Sequence, residues 1–196
     1  MWWRHRLSST QYPSARPYAS PTGERRRRSV PERVRRYYAP LSVLEATDRV
    51  MSRFGRERRE CYVWWGGYFT ESGEAQILTA IYPDTATDYG CVHLRTPELV
   101  ALHEKLRALD QVLLVELHTH PPGAGGQNDV DAAHPAATYN GFISIVIPDF
   151  ARPRFHDLRK TYVYEYAGRK EWRSLDPVEI SARFVIEETC IAVATR

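Results

Sequence analysis

The sequence has little cysteine. Its 196 residues include three, Cys61, Cys91 and Cys190, which are far apart and form no CxxC pair. An odd number of widely spaced cysteines argues against a disulfide framework and against a cysteine-ligated zinc site. It is typical of proteins kept in a reducing compartment, so the expected location is the cytoplasm.

Long apolar runs are also missing. No stretch approaches the roughly 20 apolar residues that a membrane-spanning helix needs, so no membrane partner is expected. The HExxH string of one large class of zinc peptidases is absent. So is the His-x-Glu with a later Pro-Cys-x-x-Cys that marks zinc deaminases. What is present is 43% apolar residues in a chain long enough for one domain and a tail.

The positive charge is concentrated at one end. Residues 1–36 hold ten arginines and two glutamates, a net charge of +8, whereas residues 37–196 carry a net charge of −5. Four prolines, scattered serines and the run Arg25–Arg28 predict a flexible arm over 1–36, in front of a single domain over 37–196. The arm could be a solvated leader or a presequence. Arginines also bind phosphate, so nucleic-acid binding through the arm stays open.

Periodicity and turn residues predict that helices and strands are interspersed along the domain. Predicted helices cover 41–54 (ended by Gly55), 96–109 and 131–138, and a last one starts at Asp176-Pro177. Predicted strands cover 60–70, 76–82, 111–117, 141–147, 160–166 and 184–186. This order predicts an α/β fold in which helices flank one curved, mixed β-sheet.

A histidine pair stands where the predicted strand 111–117 ends. His118 and His120 are two residues apart, so an extended backbone points both imidazoles the same way. A loop with three glycines follows and can return Asp131 to the same point. Two histidines and one carboxylate with an open position form a catalytic zinc set, so Zn²⁺ is the expected cofactor. The competing interpretation, a strand end with two exposed histidines, explains neither the loop nor the spacing.

This run resembles the JAMM motif of the JAB/MPN metalloprotease family. That motif is His-x-His, seven residues beginning with proline, and then Ser-x-x-Asp. Here it stands as His118-x-His120, seven residues, and Asn128-x-x-Asp131. The resemblance extends over roughly residues 40–150. It implies a JAB/MPN-like fold, whose architecture is similar to that of cytidine deaminases, with His118, His120 and Asp131 as metal ligands.

Two further residues acquire roles through the resemblance. Glu60, which opens the stretch ECYVWWG, stands where the family has its general base. The residues alone fit equally well a surface carboxylate paired with Arg58 or Arg59. Asn128 replaces the family's serine, which helps to orient the scissile carbonyl. An asparagine amide can also donate a hydrogen bond to an oxyanion, so Asn128 is the second candidate catalytic residue.

The resemblance is strongest to bacterial members, which often accompany ubiquitin-like proteins and their E1- and E2-like enzymes. It implies a zinc-dependent isopeptidase or peptidase that cuts after the C-terminal tail of a ubiquitin-like protein. Deconjugation and precursor processing both remain open, and phage defence is one setting for such a system. The alternatives are a catalytically weak MPN-like scaffold and a nucleic-acid-binding protein that uses the arginine arm.

Overall fold

The computed structural model describes residues 26–27, 29–83, 86–90, 92–93, 96–152 and 157–188. Four α-helices lie within these ranges: α1 Leu41–Arg56, α2 Thr96–Ala108, α3 Asp129–Ala133 and α4 Pro177–Arg183. The strands are β1 Arg26–Arg27, β2 Tyr37–Pro40, β3 Tyr62–Thr70, β4 Ala75–Ile81, β5 Ala86–Thr87, β6 Val92–His93, β7 Val112–Thr119, β8 Ile143–Ile147, β9 Tyr162–Gly168, β10 Glu171–Leu175 and β11 Phe184–Glu187. No helix among the described residues has the length and apolarity that crossing a bilayer requires.

The strands form one curved, mixed sheet in the order β10-β9-β8-β7-β3-β4-β2-β11, and β1 pairs with the end of β3. Strands β7 and β8 are parallel, as are β2–β4 and β2–β11, whereas the other neighbours on this path are antiparallel. The short β5–β6 ribbon stands apart. The predicted α/β fold with a curved mixed sheet and flanking helices is therefore confirmed.

The sheet is covered on both faces. Helix α1 buries Leu44 and Met51 in the larger core cluster on one face. Helix α2 buries Leu102 and Leu106 with Trp64 of β3 in a smaller cluster. A strand covered on both faces needs apolar residues on both sides, which explains why β7 is almost continuously apolar in sequence. Strand β7 lies between β3 and β8, so its C-terminal end is held from both sides.

Some elements differ from the prediction. Strands β2 and β10, like the two-residue strands β1, β5 and β6, were not predicted. Gly55 was expected to end the first helix, but α1 continues to Arg56. A Cβ atom at Gly55 would collide with the carbonyl oxygen of Phe150, so this glycine allows the backbone of Phe150 to pack closely against α1.

The predicted helix 131–138 is shorter and begins earlier. It starts at Asp129, because the Asn128 side chain caps it by accepting hydrogen bonds from the amides of Val130 and Asp131. It ends at Ala133, two residues before Pro135, and the residue before a proline disfavours the helical conformation.

Part of the stretch assigned to the arm packs on the domain. Val34 is fully buried in the larger core cluster, and the Arg35 amide donates to the Gly73 carbonyl at 3.0 Å. Strand β1 aligns Arg26 with Thr70 of β3. The packed part of the chain therefore includes residues upstream of Tyr37. Residues 1–25 lie outside the described ranges, and the division into arm and domain stays a prediction.

Candidate metal centre

The two histidines of the motif lie at the C-terminal end of β7. His118 is the second-last residue of the strand, and His120 is the residue that follows it. His118 is 5% exposed and His120 is 4% exposed, and their Nε2 atoms lie 3.2 Å apart. The His120 amide donates to the Ile147 carbonyl at 2.9 Å, which keeps the backbone extended beyond the strand. Residues two apart on an extended backbone project to the same side, so both imidazoles reach one point.

Asp131 reaches the same point from α3. Its Oδ2 atom lies 3.4 Å from His118 Nε2 and 3.2 Å from His120 Nε2, and it accepts the Asn128 amide at 2.9 Å. Asn128 and Asp131 thus form a capping box that orients the carboxylate. Burial disfavours ionisation of Asp131, but the hydrogen bonds with His118 and His120 outweigh it and hold its pKa well below the ordinary value.

The three atoms fit a divalent metal ion. Their separations of 3.2, 3.2 and 3.4 Å form a nearly regular triangle. Ligands about 2.0–2.1 Å from a tetrahedral zinc ion are separated by roughly 3.3 Å, which is the edge of that tetrahedron. Within the described ranges this is the group of metal-ligating side chains that lies close enough to hold an ion. The site could therefore bind a metal ion through His118, His120 and Asp131.

A further contact orients the imidazole ring of His120. Its Nδ1 atom lies 3.3 Å from the Gly125 carbonyl oxygen. A carbonyl can only accept, so Nδ1 donates to it, and Nε2 is the ring nitrogen directed at His118 and Asp131 and available as a metal ligand. Metal-ligating histidines usually donate their other ring N–H in this way.

Glu60 lies beside this group without joining it. The side chain is 6% exposed, and the residue sits just before β3. Burial raises its pKa to about 7, against the opposing positive charge of His120 and His118. No oxygen of Glu60 belongs to the set of ligand atoms within 4.8 Å of one another. A nearby carboxyl group that does not ligate and has a near-neutral pKa can act as a general base or acid.

Thr119, between the two histidines, ties Glu60 to them. Its Oγ1 atom accepts the Cys61 amide at 2.9 Å, and its own amide donates to the Cys61 carbonyl at 3.0 Å. The Glu60 amide donates to the Asp88 carbonyl at 2.8 Å. Glu60 is therefore held in place by its own backbone and that of its neighbour. The Cys61 thiol is buried, which raises its pKa to about 12 and disfavours the thiolate that a nucleophile needs.

Asn128 is exposed, and its side chain caps α3. Its side-chain oxygen is committed to the two amides at the start of α3. The side-chain nitrogen is the remaining donor, the group expected to contact an oxyanion. The capping role was not foreseen, although an asparagine before a short helix is a common N-cap.

Glu116, like Thr119, is a buried polar residue of this region that the sequence did not single out. It is 3% exposed, two residues before His118 on β7. Its Oε2 atom accepts the Tyr62 hydroxyl at 2.6 Å and the Ala136 amide at 2.9 Å. The sequence did contain a signal for it. Side chains alternate between the two faces of a strand, so Glu116 lies on the same face as His118.

The other histidines do not join the site. His134 is exposed, and its ring contacts the Val130 carbonyl. His103 packs against the Trp64 ring at 5.1 Å between centroids. The side chains of His93 and His156 lie outside the described residues.

Comparison with known proteins gives a relative and a fold. No family model matches the chain. Over 157 residues the chain is 26% identical to a Sinorhizobium fredii protein named probable metalloprotease y4jG, a match that covers 79% of this chain and 95% of that protein. The solution structure of protein DSY2949 from Desulfitobacterium hafniense is similar with a TM-score of 0.56 at 11% identity, covering 79% of this chain and 95% of that one. The latter supports the fold alone.

Proposed function

We propose that the chain is a zinc-dependent peptidase of the JAMM/MPN type. The observation that carries the proposal is the triangle of His118, His120 and Asp131 with the non-ligating Glu60 beside it. A structural zinc site would close the coordination shell with a fourth protein ligand, whereas three ligands leave a position open for chemistry. The similarity to a probable metalloprotease over most of the chain supports the same class.

Zinc held by these residues would polarise the scissile carbonyl and acidify a water molecule at neutral pH. Glu60 then takes the proton from the attacking water as the C–O bond forms. It returns that proton to the amine nitrogen as the C–N bond breaks, so the carboxylate is regenerated. The Asn128 side-chain amide donates a hydrogen bond to the negative charge that develops on the carbonyl oxygen.

For the substrate we propose the C-terminal tail of a ubiquitin-like protein, cut either from a conjugate or from its own precursor. This follows from the motif's resemblance to bacterial JAMM proteins, and it makes E1- and E2-like enzymes of the same system further partners. An extended tail would add to a sheet edge by main-chain hydrogen bonds. The +8 charge of residues 1–36 would attract an acidic partner in the cytoplasm, more strongly at low salt.

The test compares three substrates: a ubiquitin-like protein with a peptide extension, its isopeptide conjugate, and a short peptide-linked reporter. Zinc-loaded protein should cut the first two after the tail, as intact mass spectrometry would show. Chelation and Glu60→Gln should both abolish the cut. A protein that carries one zinc per chain yet cuts none of them would contradict the proposal and favour a scaffold. Affinity for DNA that survives zinc removal would favour the nucleic-acid alternative.

A further inference from the structure

The buried carboxylate of Glu116 is not used by the proposed chemistry. It lies on β7 under the loop that follows α3, and it is 3% exposed. Burying a carboxylate is unfavourable unless hydrogen bonds replace its hydration. Its Oε2 atom accepts hydrogen bonds from the Tyr62 hydroxyl and from the Ala136 amide. An apolar residue would fill this position of a buried strand without that need.

The two donors belong to the two sides of the metal centre. Tyr62 is the register partner of His118 across β3–β7, and its ring stacks on the His118 ring at 6.0 Å with 17° between planes. Ala136 lies five residues after Asp131, in the segment that leaves α3. Because Glu116 is itself two residues from His118, its carboxylate connects the histidine strand with the segment that carries Asp131.

Helix α3 needs such connections. It has five residues and buries none of them, so little apolar packing holds it in place. It is tethered before its start by Gln127, whose amide donates to the Tyr164 hydroxyl at 3.1 Å. Near its end, the Trp172 indole donates to the Ala132 carbonyl at 3.1 Å. Tyr164 lies on β9 and Trp172 lies on β10. The Glu116–Ala136 bond ties the segment just after α3 directly to β7, two residues from His118.

We propose that Glu116 is a positioning residue of the metal centre. Without touching the metal, it sets the separation between the Asp131 carboxylate and the His118–His120 pair by holding the segment after α3 against β7. This inference rests on the proposed function only in that the site binds zinc. The inference predicts that zinc affinity depends on Glu116 as well as on the three ligands.

The test uses full-length Glu116→Leu, Glu116→Gln and Tyr62→Phe, with Tyr139→Phe as the control. Tyr139 also donates from a buried hydroxyl to β7, but to the Leu113 carbonyl, far along the strand from the histidines. Zinc affinity is measured by competition with a chelator. The absorption spectrum of the Co²⁺-substituted protein reports ligand geometry. Amide exchange at Ala136 is followed in metal-free protein.

Glu116→Leu should weaken zinc binding by about 10- to 100-fold, the usual effect of removing an outer partner of a ligand. It should also change the Co²⁺ spectrum and speed Ala136 exchange. Glu116→Gln keeps an oxygen acceptor and should stay within about threefold of wild type, whereas Tyr62→Phe should weaken binding severalfold. Tyr139→Phe should bind zinc as wild type does.

Folded Glu116→Leu with wild-type zinc affinity and an unchanged Co²⁺ spectrum would overturn the inference. If Glu116→Leu does not fold, Tyr62→Phe decides: an effect no larger than that of Tyr139→Phe also overturns it. A wild-type protein that binds no zinc would instead refute the proposed function, which separates the two failures.

Discussion

The candidate metal centre joins two regions that are built differently. Strand β7 lies between two other strands, and every one of its residues after Val112 is buried. Helix α3 buries none of its side chains, and the side chain of Asp131 is 21% exposed. The histidines are thus fixed by the core, whereas the aspartate is fixed by hydrogen bonds at the ends of a short helix. We therefore expect substitutions near the histidines on β7 to have large effects. Substitutions around α3 should weaken the position of Asp131 by smaller amounts.

The largest effect should come from the ligands themselves. His118→Ala and His120→Ala should lose zinc almost completely, because the remaining histidine and Asp131 lie on different elements. Asp131→Ala should lose most zinc but keep a weak two-histidine site, since β7 holds both rings in place. In each case the loss should exceed the roughly 10- to 100-fold typical of an outer partner. Metal analysis and chelator competition measure it.

His134→Ala is the matched control, because that exposed histidine lies beside the same helix and contacts the Val130 carbonyl. It should keep wild-type zinc. Wild-type zinc content in His118→Ala or Asp131→Ala would refute the ligand assignment.

The next prediction tests whether Glu60 acts as the general base. Glu60→Gln keeps the shape of the side chain but cannot accept a proton, so turnover should fall by at least about a hundredfold while zinc stays bound. Glu57→Gln, a change at an exposed glutamate paired with Arg59, should leave turnover unchanged. Near-wild-type turnover by Glu60→Gln would mean that another group is the base.

Asn128 allows the capping and donor roles to be separated. Asn128→Ala removes both, so turnover should fall by about a hundredfold, and the free energy of unfolding should fall by about 1 kcal/mol. Asn128→Asp keeps the capping acceptor but has no amide donor, so it should be stable and slow. Asn128→Ser keeps an acceptor and a donor and should remain active.

Thermal unfolding and kcat, measured on the same samples, distinguish these outcomes. If Asn128→Asp turns over like wild type, Asn128 serves only as a helix cap.

A smaller effect on turnover is expected from substitution of Thr119, the last residue of β7. Thr119→Val keeps the side chain's shape but leaves the Cys61 amide without its acceptor, so Glu60 should lose its alignment. We expect turnover to fall by about tenfold, with zinc affinity and KM unchanged, since catalysis is sensitive to displacements of about 1 Å. Thr119→Ser should restore turnover. Equal turnover in Thr119→Val and Thr119→Ser would show that the hydroxyl does not position Glu60.

Much of the site was accessible from the sequence because its information is local. His118 and His120 are two apart on a strand, and Asp131 follows within one glycine-rich loop, so pattern and spacing bring the three atoms together. The last helix was predicted for the same reason: Asp176 caps it and Pro177 opens it, as the structure confirms. The α/β class followed from the order of periodic segments along the chain.

Other features depend on partners that are distant in the sequence. Strand β2 has four residues and pairs with β4 and β11, so its local pattern is too short to predict a strand. Gly55 is a helix end by its local propensity, and the close approach of Phe150 gives it a different use. Such contacts override local preference because close packing acts on whatever residue the fold brings near.

The sequence by itself determined which residues are candidate ligands, their spacing and the mixed α/β class, since these depend on residue type and backbone periodicity within short segments. The tertiary structure alone decided which side chains hold Glu60 and the candidate ligands in place. Thr119 meets Cys61 across 58 residues, and Glu116 meets Tyr62 across 54. Both contacts require the register between β3 and β7. A one-residue slip of that register would turn every side chain of one strand to the opposite face, so no local pattern can specify these pairs.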